Sequence, residues 1–236
     1  MNLFYIRYIL IFLLISFCLS LNGQRFHAGF KAGATATKIS GDRDPDGGRP
    51  RLGMFASLFT NYPVSNNSLL QLELMYIQKG SRAFVSGQEN DDYRDYRLDL
   101  HYVEIPVVYK YNLSDVSILT YAERLTLEAG LSFATVIGHY EENEGADITS
   151  SLAEEKPFKS GELNIMAGLY YPLRENLEFH FRFSQGVTPV RPHYDREEVA
   201  VSGTLRNWIN QFGQYNTALS FGISYTIFTQ PVNSSS

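Results

Sequence analysis

Ten charged residues occupy alternate positions in segments whose other positions are apolar or small. If these side chains face one enclosed interior they must pair, because an unpaired charge removed from water is strongly destabilising. Acids and bases are equally numerous, which favours pairing across a lumen over the single-sign ring that an ion-selective pore uses. The predicted lumenal charge network consists of Lys31, Glu73, Lys79, Glu104, Lys110, Arg124, Glu128, Glu162, Glu178 and Arg182.

A hydrolase site is the first catalytic interpretation to weigh, since Glu178, His180 and Ser184 share one face of a single segment. On a strand, residues four apart lie about 13 Å from each other. That separation prevents the direct hydrogen bond by which a histidine activates a serine nucleophile. The sequence also contains no Gly-x-Ser-x-Gly elbow. We therefore predict no catalytic residues and no enzyme activity.

Metal and cofactor sites are not indicated either. His27, His101, His139 and His193 are scattered, without the spacing of metal ligands. Cys18 is the single cysteine and lies in the apolar N-terminal segment, so its removal would leave no disulfide, thiol chemistry or cysteine-ligated metal. We predict neither a metal nor a cofactor.

Two longer polar stretches offer weaker signals. The stretch 139–161 is acidic, which suits a divalent cation bridge or an adhesive contact, although a solvated loop is the favoured interpretation. The stretch 189–213 contains Trp208 beside Leu205 and Ile209, which suits packing onto a neighbouring surface or a partner. The formal net charge of −5 argues against nucleic acid as a partner.

The elements that must position these residues follow a two-residue period. In the first segment, the even positions from 26 to 36 carry phenylalanine or alanine, and the odd positions from 27 to 37 carry polar or small residues. This alternation is the pattern of a half-buried strand. The second segment is ambiguous in phase, because Phe55 and Phe59 fall on the opposite parity from its other large apolar residues. Eight segments show strand character: 26–37, 52–62, 70–79, 103–111, 124–133, 162–171, 177–184 and 216–227.

The connections between the segments alternate strictly between short and long. Short turns at 62–67 and 171–176 and a middle-length one at 112–123 separate long polar stretches at 40–51, 81–97, 139–161 and 189–213. Outer-membrane barrels have short periplasmic turns and long extracellular loops. The sequence therefore predicts an all-β, eight-stranded antiparallel up-and-down transmembrane barrel with both termini in the periplasm.

Tyrosines supply a further argument for the membrane. They gather at the short-turn ends of the segments, as expected of an aromatic girdle at the lipid headgroups. The alternative is an exported soluble barrel of the lipocalin kind, with the apolar face inside. Bulky uncharged residues on one parity and Gly, Ser, Thr and mixed charges on the other favour the membrane. The predicted girdle consists of Tyr62, Tyr109, Tyr111, Tyr170, Tyr171 and Tyr225.

The N-terminus has the features of a secretory signal. Arg7 precedes an apolar run from Ile9 to Ile15, extended by residues 17–19, which is shorter than the roughly 20 residues of a spanning helix. Cleavage after Gly23 or Ser20 is possible, and lipidation at Cys18 is an alternative that Phe17 disfavours. We divide the chain into a cleavable signal peptide at 1–23 and a barrel domain at 24–236.

Two pieces of the sequence are fairly specific motifs, Glu-x-x-Tyr-x-Gln-Lys-Gly at 73–80 and Tyr-x-Glu-Ile-Pro at 102–106. The stretches that contain them, together with three others, resemble the PorT-like outer-membrane β-barrel family of Bacteroidetes. The resemblance implies an eight-stranded barrel in the outer membrane of a Gram-negative bacterium, and a namesake of the family takes part in protein secretion. The stretches are 30–34, 70–80, 100–106, 167–172 and 213–216.

We therefore expect a small outer-membrane barrel with a plugged lumen, in a structural role or as an accessory of an envelope or secretion complex. A narrow transporter and a lipid-modifying outer-membrane enzyme are the alternatives. The expected partners are outer-membrane lipid and lipopolysaccharide, the barrel-assembly machinery during insertion and, for the accessory role, an envelope protein; nucleic acid is not among them.

Overall fold

A computed structural model of the protein describes residues 27–41, 49–84, 95–115, 124–143, 145–149, 158–191 and 214–228. The signal peptide predicted at 1–23, the alternative lipidation site Cys18, His193 and the group around Trp208 lie outside the described residues. Of the acidic stretch at 139–161, Glu144, Glu154 and Glu155 also lie outside them. The predictions for these residues stay predictions.

Eight long strands and one two-residue strand account for most of the described residues. The long strands contain between 10 and 18 residues. At about 3.3 Å per residue even the shortest can cross the hydrocarbon core of a bilayer when moderately tilted. The strands are β1 (His27–Gly41), β2 (Arg49–Pro63), β3 (Ser68–Phe84), β4 (Asp95–Asn112), β5 (Thr126–Asn143), β6 (Ala146–Asp147), β7 (Gly161–Arg174), β8 (Leu177–Gly186) and β9 (Gln214–Phe228).

The eight long strands form a closed antiparallel ring. Each pairs with its neighbour in the chain, β5 pairs with β7, and β1 pairs with β9 to close the barrel. The short β6 lies outside the ring and pairs only with the end of β5. Every long strand thus has two partners, so the ring has no free edge. The predicted eight-stranded up-and-down barrel is confirmed.

The two faces of the wall follow the predicted parities. Large apolar side chains such as Leu58, Leu131 and Ile165 are exposed on the outside, whereas Lys31, Glu104 and most other lumenal charges are buried. The described residues include no helix long and apolar enough to cross a membrane.

Strand β2 resolves the phase that its sequence left open. Phe55 and Phe59 are buried in the lumen, while Leu58 and the neighbouring residues of its parity are exposed. In register, Gly33 of β1 stands opposite Phe55 and Gly29 opposite Phe59. A Cβ atom at Gly33 would lie 2.8 Å from the Phe55 ring, and one at Gly29 would lie 2.5 Å from the Phe59 ring. The two glycines therefore make room for the two rings inside the barrel.

Five of the six tyrosines of the predicted girdle lie on the outer face of the barrel, and the sixth does not. Tyr62, Tyr109, Tyr111, Tyr171 and Tyr225 are exposed on the outer face. Tyr170 is completely buried, because strand alternation turns it into the lumen when its neighbour Tyr171 faces outward.

An apolar cluster occupies the lumen toward the end with the long connections. The predicted contrast between an apolar outside and a polar inside did not anticipate it. Val136 and Phe158 pack against it from the same end. Its buried members are Ile39, Phe55, Met75, Ile77, Leu98, Leu100, Tyr102, Val108, Ala134, Met166 and Val190.

Candidate functional site in the barrel lumen

Arg182 of β8 is the centre of the first group of lumenal charges, and the guanidinium is almost completely buried. Its Nε lies 2.5 Å from Glu128 Oε1, and its Nη2 lies 2.6 Å from Glu73 Oε1 and 2.8 Å from Glu128 Oε2. A planar guanidinium matches two carboxylates in this forked geometry, which a lysine could not reproduce. Arg182 thereby links β8 to β3 and β5 across the lumen.

Lys31 and Tyr170 complete this group. Lys31 Nζ lies 2.6 Å from Glu73 Oε1 and donates to Tyr170 Oη at 3.0 Å. The Tyr170 hydroxyl in turn donates to Glu128 Oε2 at 2.9 Å. We call Lys31, Glu73, Glu128, Tyr170 and Arg182 the Arg182 cluster. Two bases balance two acids in it, so it is neutral when all four are ionised.

A second group, the Lys79 cluster, consists of Lys79, Glu104, Glu162 and Asn216. Lys79 Nζ lies 3.3 Å from Glu104 Oε2 and 3.5 Å from Glu162 Oε2. Asn216 Nδ2 donates to Glu162 Oε2 at 2.9 Å, and the Ser132 hydroxyl donates to Glu104. One ammonium here faces two carboxylates, so the cluster carries an excess negative charge when all three groups are ionised.

The last three members of the predicted network lie near the short turns. Lys110 is buried, with Nζ 3.4 Å from Glu178 Oε2 and 3.4 Å from the centre of the Tyr170 ring. Arg124 is exposed, and its guanidinium lies 5.5 Å from the ring of the outward-facing Tyr171. Placing Arg124 in the lumen was wrong, because it precedes the first residue of β5, where strand alternation does not yet apply.

Other buried polar residues were missed by the sequence analysis. Gln71 donates to Glu73 Oε1 at 2.6 Å, and Asn164 Nδ2 donates to the Ser132 hydroxyl at 3.2 Å. Both lie on lumenal parities, which was the available signal. The pairs Arg51–Asp99 and Arg191–Glu141 lie at the long-connection end. They had no signal, since Arg51, Arg191 and Glu141 lie in stretches that the sequence pattern assigned to loops and Asp99 precedes the strand predicted at 103–111.

His180 is buried beside the Arg182 cluster without taking part in it. Its ring centre lies 5.4 Å from that of Phe55 and 5.2 Å from that of Tyr170. Neither ring nitrogen has a hydrogen-bond partner among the described residues. Ser184 is also buried on the lumenal face, but no hydrogen bond joins it to His180, as the strand spacing predicted. The pair therefore lacks the geometry of an activated nucleophile.

The lumenal charges connect the strands of the barrel wall from the inside. Ion pairs of Arg182 join three strands and ion pairs of Lys79 join three strands, so the charges fill and cross-link the interior. Among the residues that the structure describes, no three His, Cys, Asp or Glu side chains are arranged to hold a metal ion.

Comparisons with known proteins give one family. A family model described as "Outer membrane protein beta-barrel domain" matches residues 20–191. No curated protein sequence matches the chain.

Several solved barrels have a similar chain path. Neisserial surface protein A is 12% identical, with a TM-score of 0.48, over 85% of this chain and 97% of that chain. Ail, the attachment invasion locus protein of Yersinia pestis, is 11% identical, with a TM-score of 0.41, over 85% and 98%. A major outer membrane protein from Thermus thermophilus is 14% identical, with a TM-score of 0.43, over 85% and 99%.

Proposed function

The chain belongs to the outer membrane protein beta-barrel domain family, and from this premise we propose that it is a plugged barrel with a structural or interaction role. It is a small outer-membrane β-barrel. Its place among the PorT-like proteins of Bacteroidetes, and a role as an accessory of an envelope or secretion complex, are parts of the same proposal.

The filled lumen is the observation that carries this proposal. The Arg182 cluster, the Lys79 cluster and the apolar cluster together fill the barrel, and their central side chains are almost completely buried. An eight-stranded barrel is just wide enough for its own side chains. Solute passage would require breaking ion pairs that link strands on opposite sides of the wall. The outer surface or an end of the barrel is therefore a more suitable place for a functional contact than the lumen.

The proposed orientation puts both termini and the short turns in the periplasm. The turn between β2 and β3 and the turn between β7 and β8 each have only a few residues. The strands β3, β4 and β5 have 17 or 18 residues and therefore extend beyond the length needed to cross the membrane. Their extensions lie at the long-connection end, which the proposal places outside the cell as a surface for partners.

Conductance of the purified protein in planar bilayers tests the plugged lumen. We expect no porin-like conductance from the wild type. Simultaneous replacement of Lys31, Glu73, Glu128 and Arg182 by alanine would remove the polar brace and should raise conductance in any molecules that still fold. Large, stable wild-type conductance would overturn the plugged-barrel proposal.

The interaction role has a separate test. Affinity purification from the native outer membrane, with mild detergent and without cross-linking, should recover a stoichiometric envelope protein. An unrelated eight-stranded barrel, purified in parallel, is the control. Recovery of the barrel alone would count against an accessory role and leave a structural one.

Narrow transport is the second candidate, and one observation favours it. The buried atoms His180 Nδ1, His180 Nε2 and Glu162 Oε1 have no hydrogen-bond partner among the described residues. Unsatisfied polar atoms along a lumen are sites at which a proton or a small ion could stop. A pH gradient across vesicles that decays faster with wild type than with His180→Phe would support this candidate. We propose no enzyme activity, because His180 and Ser184 form no catalytic pair.

A further inference from the structure

The outer face of the barrel carries a group of polar side chains on β3 and β4, beside apolar side chains that face lipid. Tyr76 and Gln78 of β3 and His101 of β4 are adjacent there, and Gln78 stands opposite His101 in register. Gln78 Nε2 donates to Tyr76 Oη at 3.2 Å, and Tyr76 Oη lies 2.5 Å from His101 Nδ1. When the Tyr76 hydroxyl donates this hydrogen bond, His101 Nδ1 accepts it and the ring proton lies on Nε2. His101 Nε2 is then a donor for a group other than Tyr76.

Arginines follow on the same strands, toward the long connections. Arg82 of β3 stands directly opposite Arg97 of β4. Like charges directly opposite each other across a sheet are destabilising unless an anion compensates them.

Two carboxylates compensate only part of this charge. Arg97 Nη2 lies 2.6 Å from Asp99 Oδ2, and Arg51 pairs with the same carboxylate. Glu142 of β5 stands opposite Arg97 in register. Arg82 is exposed, and no carboxylate among the described residues forms an ion pair with it. The arginines therefore provide a site for an anion from outside the protein.

A shallow apolar groove lies on the other side of the polar group, toward the short turns. Its volume is about 440 Å³. Ala32 of β1 and Ala56 of β2 stand opposite each other and form its floor, because their methyl groups leave the wall lower than the surrounding side chains. Phe30, Leu58 and Leu74 flank the floor. A groove of this kind fits an acyl chain.

The arginines, the polar group and the apolar groove are spaced along the membrane normal as the parts of a lipid are. Tyr62 of the girdle, Leu70 and Tyr109 stand in one row across three strands. Arg82 lies twelve residues beyond Leu70 along β3. Twelve residues span about 40 Å along a strand, or about 30 Å along the membrane normal at the tilt of such barrels. The apolar band of these proteins is about 25 Å tall, so Arg82 reaches the level of the opposite headgroups.

We propose that this outer surface, made of Tyr76, Gln78, Arg82, Arg97 and His101 together with the groove, binds one phosphorylated acyl lipid of the leaflet at the long-connection end. The phosphate contacts Arg82 and Arg97, the ester or amide carbonyls accept from Gln78 and His101, and an acyl chain lies over Ala32 and Ala56 at the level of Tyr76. Forked guanidinium groups suit phosphate oxygens. The inference rests on the proposed membrane barrel, but not on whether its lumen conducts.

Native mass spectrometry of the full chain in mild detergent tests the site, with dioleoyl phosphatidate as the probe. The wild type should bind one molecule of phosphatidate at least about tenfold more tightly than dioleoylglycerol, which lacks the phosphate. The double variant Arg82→Gln with Arg97→Gln should lose about tenfold in phosphatidate affinity. Ala56→Phe fills the groove without changing charge and should weaken phosphatidate binding as well. Arg174→Gln, at the short-turn end, is the matched control and should bind as the wild type does.

The outcomes separate the alternatives. Wild-type affinity in the double arginine variant, or in Ala56→Phe, would overturn the proposal. Inorganic phosphate that displaces phosphatidate at equal concentration would mean a site for a soluble anion, which also overturns it. Each variant is first shown to be folded by its heat-dependent electrophoretic mobility. Loss of that property in the wild type would defeat the membrane barrel itself, which is a different failure from absent lipid binding.

Discussion

Arg182 shows how a charged side chain can be stable when it is buried in the lumen of a membrane barrel. Its three hydrogen-bonding nitrogens donate to the carboxylates of Glu73 and Glu128. Lys31 and Gln71 also donate to Glu73, and Tyr170 also donates to Glu128. The removal of four charges from water is offset by mutual attraction only because the hydrogen bonds are nearly complete. Loss of one member leaves its partners buried without compensation.

We expect Glu128→Gln to lower the free energy of unfolding by about 3–5 kcal/mol, the usual effect of breaking a buried ion pair from one side. Arg182 would keep Glu73 alone, and the cluster would carry an excess positive charge. The urea midpoint in detergent, followed by electrophoretic mobility, measures the change. Glu175→Gln, in the exposed turn between β7 and β8, should leave the midpoint unchanged. Equal midpoints for both variants would show that the Arg182 cluster does not stabilise the barrel.

Two glycines lie at the seam where β1 and β9 close the barrel. Gly33 of β1 stands opposite Phe55 on one side and opposite Gly222 of β9 on the other. A Cβ atom at Gly33 would lie 2.2 Å from the carbonyl oxygen of Phe221. The glycine pair allows β1 and β9 to approach at the closing seam while the Phe55 ring lies over them.

Gly33→Leu should therefore destabilise the closing seam by roughly 1–3 kcal/mol, the range for overpacking a filled interior. The matched control is Ala34→Leu, one residue further along β1, where the side chain points toward lipid. The fraction of each variant that remains folded in urea distinguishes the two positions. A Gly33→Leu protein as stable as Ala34→Leu would contradict the packing of Phe55 onto Gly33.

The alternation of lumenal and outward-facing residues in β8 leads to a second prediction about the strands. Phe181 alternates with the lumenal His180 and Arg182, and it stands opposite Phe221 of β9. Arginine at such a position costs about 2–4 kcal/mol near the bilayer midplane. Phe181→Arg should lower the amount of protein assembled in outer-membrane fractions. Asn66→Arg, in the exposed turn between β2 and β3, should assemble normally, and equal amounts would mean that the outer face of β8 is assigned wrongly.

At the scale of the molecule, closure of the ring is the dominant property. All eight long strands have partners on both sides, and the lumenal clusters connect strands that are not neighbours in the wall. Opening any strand pair therefore creates two free edges and can break internal ion pairs at the same time. Unfolding should be cooperative and slow in detergent.

Heating should consequently change the electrophoretic mobility of the detergent-purified protein. Without boiling the closed barrel should persist in the gel and migrate differently from the unfolded chain. A sample boiled in the same detergent is the comparison. Identical mobility before and after boiling would count strongly against a closed membrane barrel.

The sequence by itself determined the strands, their two faces and the order of short and long connections. These follow from a two-residue period, which depends only on local backbone geometry and on the contrast between lipid and lumen. The parities therefore placed Lys31, Glu73 and Arg182 inside the barrel without any knowledge of their neighbours. Alternation does not apply to Arg124, which lies before its strand begins, and it turns Tyr170 into the lumen, where the girdle pattern did not place it.

Only the tertiary structure decided which of the lumenal charges meet. Glu73 and Arg182 lie 109 residues apart in the chain, and their contact depends on ring closure and on the register of every strand pair between them. The sequence left the phase of Phe55 open for the same reason, since the space it fills is provided by Gly33 on another strand. The Arg182 and Lys79 clusters, the apolar cluster and the lipid-facing arginines all arise from such cross-strand register, which no local pattern encodes.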